Sequence, residues 1–353
     1  MTAAHVVDIA GVKVGDGHPV ALVAEVGTFF NRDIGLAMSY LEQAAEAGAP
    51  LFKTEILHDP NVCLPGTGLV HEYRHARGAS QEDYRALIER KCVSLADYRK
   101  LFERCHALGV PFIATVYDFT GVDFLADVGG AAVKIARDNV DNVPLIRHAA
   151  RTGLPMIFDA GIVYLEEIAR AVRLARDSGA GGVVVNHHPG ANPAPAEVHH
   201  LRAISMYKEA LGVPVGLACH YRGDEMLYVA IGAGANLLEK GVVEDPDRVE
   251  QDLVSASRLS ELPALVRKVA ECSAALGVAQ VSAREPRDLS VRKGLVARRA
   301  ISAGAKIGAE DLRFAWPPHG ISVAHWDLVV GSKAVRALAA GDVIRWADIS
   351  IEG

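Results

Sequence analysis

Ionisable and polar residues stand at the ends of eight apolar runs in the first part of this chain. Glu25 closes ALVAEVG (21–27), Lys53 and Glu55 lie in PLFKTEI (50–56), Thr115 and Tyr117 in PFIATVY (111–117), and Lys134 and Arg137 in AVKIARD (132–138). Asp159 follows in PMIFDAG (155–161), Asn186, His187 and His188 in GVVVNHH (182–188), His220 in PVGLACH (214–220), and Glu239 with Lys240 in ANLLEKG (235–241). One such residue is unremarkable; eight in series point to a shared site. A lysine inside an apolar run, as Lys134 is, costs too much to bury without a partner or a purpose. Clusters of lysine and arginine of this kind suit a phosphorylated small molecule, and the plainer alternative is a lysine that snorkels or is salt-bridged in a barrel lumen.

The elements that would position these residues repeat along the chain. The stretch 131–161 reads as strand, amphipathic helix, strand: AAVKIA, then Val143, Leu145, Ile146 and Ala149 at helical spacing with a Gly153 stop, then PMIFDAG. Short apolar runs joined by amphipathic helices are the signature of a parallel sheet buried on both faces. GLAMSYLEQAAEAGA, SLADYRKLFERCHALGV and YLEEIARAVRLARDSGA supply further helices with glycine near their C-terminal ends. Eight such units predict an α/β chain with a (β/α)8 TIM barrel over 1–277; a three-layer αβα sheet is the other reading. In a parallel barrel the strand C-termini meet on one face, so the residues above would converge there.

The gap from Leu57 to Val93 is long for a loop and carries Arg74, His75 and Arg77, which predicts either a lid over the barrel mouth or a decorative insertion. A helical segment is predicted over 247–276, then a charged linker over 278–287. Beyond it, over 288–353, the sequence repeats: VARRAISAGAKIGAEDL and KAVRALAAGDVIRWADI align through Arg299/Arg336, Gly304/Gly341, Ile307/Ile344 and Asp311/Asp348. Two copies of a short unit predict a compact pseudo-symmetric β module.

Composition sets the outer bounds. The chain has 353 residues, half of them hydrophobic and 23% charged, and a formal net charge of -6 that offers no general attraction for nucleic acid or an anionic membrane. Its five cysteines have no CxxC spacing, against a zinc finger or disulfide framework. With neither a basic-then-apolar leader nor a run of about 18 apolar residues, a cytoplasmic protein is expected.

Together these stretches resemble the sialic acid synthase family (N-acetylneuraminate synthase-like). The resemblance is carried by AEVG, AGAPLFKTEI, PFIATVYD, VKIARDNVDNVPLIRHAARTGLPMI, YLEEIARAV, NPAP at 192–195, GVPVGLACH and LLEKG. The tail, with PPHGIS and VGSKAVRALAAGDVI, is similar to that family's C-terminal antifreeze-like (SAF) domain. The resemblance implies condensation of phosphoenolpyruvate (PEP) with a sugar aldehyde to a 2-keto-3-deoxy sugar acid, with phosphate release. It implies a domain-swapped homodimer with small-molecule substrates. Lys53, Thr115 and Lys134 would hold the phosphate and carboxylate of PEP, Glu25 would bind the sugar and assist proton movement, and His220 would help hold a divalent metal, Mn2+ or Mg2+.

The chain departs from the pattern at chosen positions. Gly241 stands where the family has its second metal histidine, which weakens the metal; His187 or His188 is the candidate replacement. Arg137 replaces a phosphate-binding serine, Ala218-Cys219 a Ser-Asp pair, Ala191 an asparagine, and Trp316 a substrate-contacting arginine. Arg137, Asn186, Glu239 and Trp316 join Thr115 as expected substrate-binding residues. Retuning into an active synthase is one consequence; a metal-independent aldolase or lyase on the same scaffold, or a non-catalytic sugar-phosphate-binding homologue, is the other. Asp252 is expected on a solvated helix face, and Trp326 and Trp346 in the core of the small domain.

Overall fold

A computed structural model describes residues 6–277, 292–317 and 319–351, and the chain divides into two compact units, Met1–Gly277 and Val278–Gly353. The linker expected over 278–287 lies outside the described residues.

In the first unit eight parallel strands close on themselves: β1 (Ala21–Gly27), β2 (Leu51–Ile56), β3 (Phe112–Val116), β4 (Ala132–Ile135), β5 (Met156–Ala160), β6 (Val183–His187), β7 (Val215–Cys219) and β8 (Leu237–Val243). Each pairs with its sequence neighbours, and β8 closes the ring against β1 with Gly241 opposite Glu25. The expected TIM barrel is therefore the fold, and the open αβα sheet is not. Helices α1 (Ile34–Glu46), α2 (Leu95–Leu108), α3 (Phe119–Asp127), α4 (Val143–Ala150), α5 (Leu165–Asp177), α6 (Ala203–Leu211), α7 (Glu225–Gly232) and α8 (Leu262–Leu276) complete the units. Local chemistry sets their ends: Asp33, Ser94, Asp118 and Asn142 cap α1 to α4 by accepting backbone N–H bonds, and Gly109 ends α2 at φ +68°.

Strand alternation divides the barrel into two cores. One set of side chains, with the inner faces of the helices, forms the large outer core, including Phe52, Phe112 and Phe158. The other set points to the axis. At its N-terminal end Ala21, Val23, Leu51, Ile113, Ala132, Ile157, Val184 and Leu237 pack against Val7, Ile9 and Val14 of a short hairpin (7–14) that seals this end. Two residues further along, the same inward positions hold Glu25, Lys53, Thr115, Lys134, Asp159, Asn186 and Glu239.

The stretch between Leu57 and Val93 has structure of its own: Val70–His75 and Gly78–Asp83 form an antiparallel hairpin that runs into a helix, Tyr84–Lys91. One expectation fails in the connections. Residues 247–261 are turns, two short 3-10 turns and a two-residue strand, Ser257–Arg258, that pairs with the end of β8; α8 starts only at Leu262, with Pro263 in its first turn.

The second unit carries the predicted repeat. Arg299 Nε donates to Asp311 Oδ1 at 2.5 Å and Arg336 Nε to Asp348 Oδ1 at 2.7 Å. In each copy the second oxygen of the aspartate accepts a backbone N–H, from Gly308 and Arg345. Gly304 and Gly341 both adopt positive φ at the matching turns. The halves bridge at Ile301 and Leu338 over a shared core that includes Ile307, Leu312, Ile344 and Ile349. Trp326 packs against this core, whereas Trp346 is 49% exposed and edges onto His325, correcting the expectation that it is core.

Candidate active site

At the C-terminal end of the barrel a cavity of about 440 Å³ is lined by Glu25, Lys53, Thr115, Lys134, Arg137, Asp159, His188, His220, Glu239 and Gly241, and by loop residues including Phe29, Tyr73, Tyr84, Asn192 and Asp252. Its floor is a buried charge cluster. Lys134 Nζ lies 2.5 Å from Glu239 Oε1 and 2.9 Å from Asp159 Oδ2. Lys53 Nζ donates to Glu25, its partner in the β1–β2 register, and lies 3.2 Å from Glu239. The lysine in the apolar run is thus salt-bridged in the lumen, at the base of a cavity open to a ligand.

Two ammoniums against three carboxylates in low dielectric cannot all be charged without cost. Burial would depress Lys53 and Lys134, but the carboxylates outweigh it, Glu239 and Glu25 for the first and Asp159 and Glu239 for the second, and hold both above the ordinary lysine range. Burial would likewise raise Glu239, yet Lys134 and Lys53 hold it below the usual carboxylate range. Glu25 goes the other way: burial, seconded by the charge of Glu239, outweighs Lys53 and lifts it to about 7. Burial lifts Asp159 to about 6 against the pull of Lys134. The set therefore comprises two fixed cations, one fixed anion and two groups that exchange protons near neutrality, which suits binding an anion and moving a proton.

The remaining expected residues divide. Thr115 is buried between its register partners Glu55 and Lys134 and lines the cavity. Arg137 sits exposed at the rim, its Nη1 donating to Gly190 O at 3.0 Å. Asn186 is fully buried beneath the cavity rather than on its surface; its amide donates to Glu239 Oε2 at 3.3 Å. It therefore supports Glu239, and Gly216 makes room for it, since a Cβ there would come 2.3 Å from Asn186 Oδ1. Trp316 belongs to the second unit, where the Lys293 ammonium lies 4.3 Å from its ring centroid.

The two histidines after Asn186 separate cleanly. His187 is the last residue of β6 and turns outward, its Nε2 2.5 Å from His199 O and its ring near Tyr207. It turns away from His220, which corrects the expectation of His187 as the replacement metal ligand; strand alternation is the reason. His188 turns inward, with its ring centroid 4.6 Å from that of His220. Burial pushes both imidazoles down, His220 to about 4 and His188 well below the ordinary range.

The position that the resemblance assigns to a second metal histidine is tight. A Cβ on Gly241 would lie 3.3 Å from the Phe29 ring and 3.4 Å from Ala256 Cβ. Among the described residues no group of three or more His, Cys, Asp or Glu is placed to hold a metal ion. His220 and His188 stand side by side as two nitrogen donors, the number that the resemblance assigns to the family's site, and leave the rest of a divalent ion's coordination shell to other ligands.

Asp252 was expected on a solvated helix face. Instead it sits in a turn with φ +67°, its Oδ1 accepting from Asn192 Nδ2 at 2.9 Å, on the cavity wall. Phe29, Tyr73 and Tyr84 were not anticipated at all.

Comparison with known proteins matches residues 40–281 to the NeuB family and residues 292–350 to the SAF domain. The chain belongs to the NeuB family. Among the relatives of this NeuB-family chain, an N,N'-diacetyllegionaminic acid synthase of Legionella pneumophila is 27% identical over 349 residues, covering 97% of this chain and 98% of that one. The N-acetylneuraminate-9-phosphate synthase of Homo sapiens is 25% identical over 270 residues, 76% of this chain and 74% of its own. A sialic acid synthetase structure from Leptospira borgpetersenii superposes with a TM-score of 0.72 at 23% identity, covering 82% of this chain and 95% of that one, and shows the shared fold. No helix among the described residues is long and apolar enough to cross a membrane.

Proposed function

We propose that this chain condenses phosphoenolpyruvate with a sugar aldehyde to give a 2-keto-3-deoxy sugar acid and inorganic phosphate. The observation that carries the reading is the pair of buried ammoniums, Lys53 and Lys134, at the base of a polar cavity. Cations fixed on strands suit a small polyanion, since their positions are set before the ligand arrives. As the anion enters, it displaces Glu25 from Lys53 and part of the carboxylate contact from Lys134. Thr115 and Arg137 add donors from the adjoining strand end and rim.

The chemistry joins C3 of phosphoenolpyruvate to the aldehyde carbon, water supplies the new oxygen at C2, and the C2–O bond to phosphate breaks. Glu25, poised near neutrality, is the group to hand a proton to the aldehyde oxygen, and His188 and His220, as neutral imidazoles, line the acceptor side. Because Gly241 stands where the family has a metal histidine, activity is proposed to do without a tightly held ion, or to need an added one at high concentration. The resemblance further suggests a homodimer in which the second unit of one chain covers the partner's barrel mouth; scattering that shows a compact monomer at micromolar concentration contradicts it.

The test is phosphate release from phosphoenolpyruvate with a panel of sugar aldehydes, with Lys134→Ala as the inactive control. Failure of phosphoenolpyruvate to bind the parent chain sinks the proposal. A non-catalytic homologue, in contrast, binds ligand and turns over under no metal.

A further inference from the structure

A second cavity of about 380 Å³ lies beside the central one and shares Thr28, Glu55, Tyr84, Asp138, Gln251 and Asp252 with it as a common wall. On the far wall lies Lys91, the last residue of the helix Tyr84–Lys91, which is only 2% exposed. Its ammonium donates to Thr28 Oγ1 at 3.1 Å.

The carboxylate it approaches, Glu250, is 3.6 Å away and already engaged. Arg90 grips it with both guanidinium ends, at 2.6 and 2.8 Å, and Asn31 and the Gln251 backbone N–H add further bonds. An ammonium has three donors, and a buried one is costly until they are matched. Lys91 has one good bond to a hydroxyl and a carboxylate claimed by a neighbour, so it keeps donor capacity while lining the second cavity.

The junction of the two cavities is also built. Tyr117 donates its hydroxyl to Glu55 Oε2 at 2.7 Å, fixing a carboxylate on the shared wall. Asn142 Nδ2 donates to Asn139 Oδ1 at 2.8 Å, and both residues line the second cavity. The lining therefore comprises a cationic floor in the first cavity, a common wall that carries the Glu55, Asp138 and Asp252 carboxylates, and a buried cation in the second cavity.

We propose that the second cavity holds the end of the acceptor remote from its aldehyde, and that this end carries an oxyanion, a phosphate or a carboxylate, received by Lys91. Glu55 accepts from hydroxyl or amide N–H groups midway along the acceptor. The inference rests on the synthase reading above and narrows its acceptor class.

The experiment compares three acceptor aldehydes of equal chain length with saturating phosphoenolpyruvate: an amino-sugar 6-phosphate, the matching uronate and the neutral amino sugar. One charge-assisted contact predicts kcat/KM for one of the anionic acceptors about ten- to hundred-fold above the neutral one, expressed in KM. Lys91→Met is expected to erase that preference and Lys91→Arg to restore part of it; the phosphate and uronate arms identify the oxyanion. Equal use of all three acceptors by the parent overturns the proposal. So does a Lys91→Met loss of the same size on every acceptor, which is what a purely structural neutraliser of Glu250 would give. If no acceptor turns over, calorimetric binding of the sugar 6-phosphate decides separately: weakening in Lys91→Met but not in Lys134→Met supports the pocket although the synthase reading has failed, and equal binding by Lys91→Met and the parent removes it.

Discussion

Lys53 and Glu25 face each other across the β1–β2 register, and the ammonium of the first donates to the carboxylate of the second. Burial holds Glu25 at about 7, so its proton is available below that pH and gone above it. The rate of phosphate release is expected to fall as pH rises through about 7. Glu25→Gln is expected to lose about 10²- to 10⁴-fold in rate together with this limb of the profile. A parent kcat/KM profile that stays flat through neutrality contradicts the assignment.

The same shift makes a stability prediction. Glu25 is lifted from 4.5 to about 7, so between those values the folded chain holds a proton that the unfolded chain has released, and its contribution falls as pH rises through that window. Glu239 has the opposite sign: its pKa is lowered, so its contribution is present above 4.5 and fades as pH drops below it. The buried histidines, lowered in turn, also gain stability with rising pH. The Glu25 component is therefore isolated as a difference. Relative to the parent, Glu25→Gln should gain in urea midpoint as pH goes from about 5 to about 8; a difference that is constant or reversed refutes the shift.

Removing Lys134 strands two buried carboxylates. Lys134→Met is expected to abolish phosphate release and to destabilise the fold by about 3–5 kcal/mol, because Asp159 and Glu239 then lose their shared cation. Adding Glu239→Gln should return part of the stability and none of the activity. Urea titration beside the phosphate assay separates the two effects, and a stable but inactive single variant would show that the cluster contributes little to folding.

The glycine in β8 predicts metal behaviour. The purified parent is expected to carry less than one tightly bound divalent ion per chain and to keep its level of activity after chelator treatment and removal. Gly241→His is expected to disturb Phe29 before it adds a ligand, since even a Cβ meets that ring at 3.3 Å. Metal analysis showing a stoichiometric ion whose loss ends turnover would mean that neighbouring side chains have replaced the histidine.

The barrel is legible because each apolar run ends in a polar residue at the same phase, so the sequence alone places Glu25, Lys53, Thr115, Lys134 and Glu239 together. The choice between His187 and His188 was equally available: Asn186 is inward, and the period of two sends His188 in and His187 out. Asp252 and Phe29 were not available in this way, because they reach the cavity from turns, which have no period to read. The hairpin over 70–83 was missed because both of its faces are partly exposed, leaving no apolar alternation in VHEYRH or GASQED.

The hairpin of Val7, Ile9 and Val14 makes the barrel a cup with a single doorway. Whatever lies against Lys53 and Lys134 must enter before anything that occupies the rim, and it cannot leave past a seated neighbour. Traffic through such a cup is sequential: the ligand of the lysines binds first, the acceptor second, and the elongated acid must clear the mouth before the next cycle begins. Initial-rate patterns should then show compulsory order, with the acid product competing against the first substrate and an acceptor analogue inhibiting uncompetitively with respect to it.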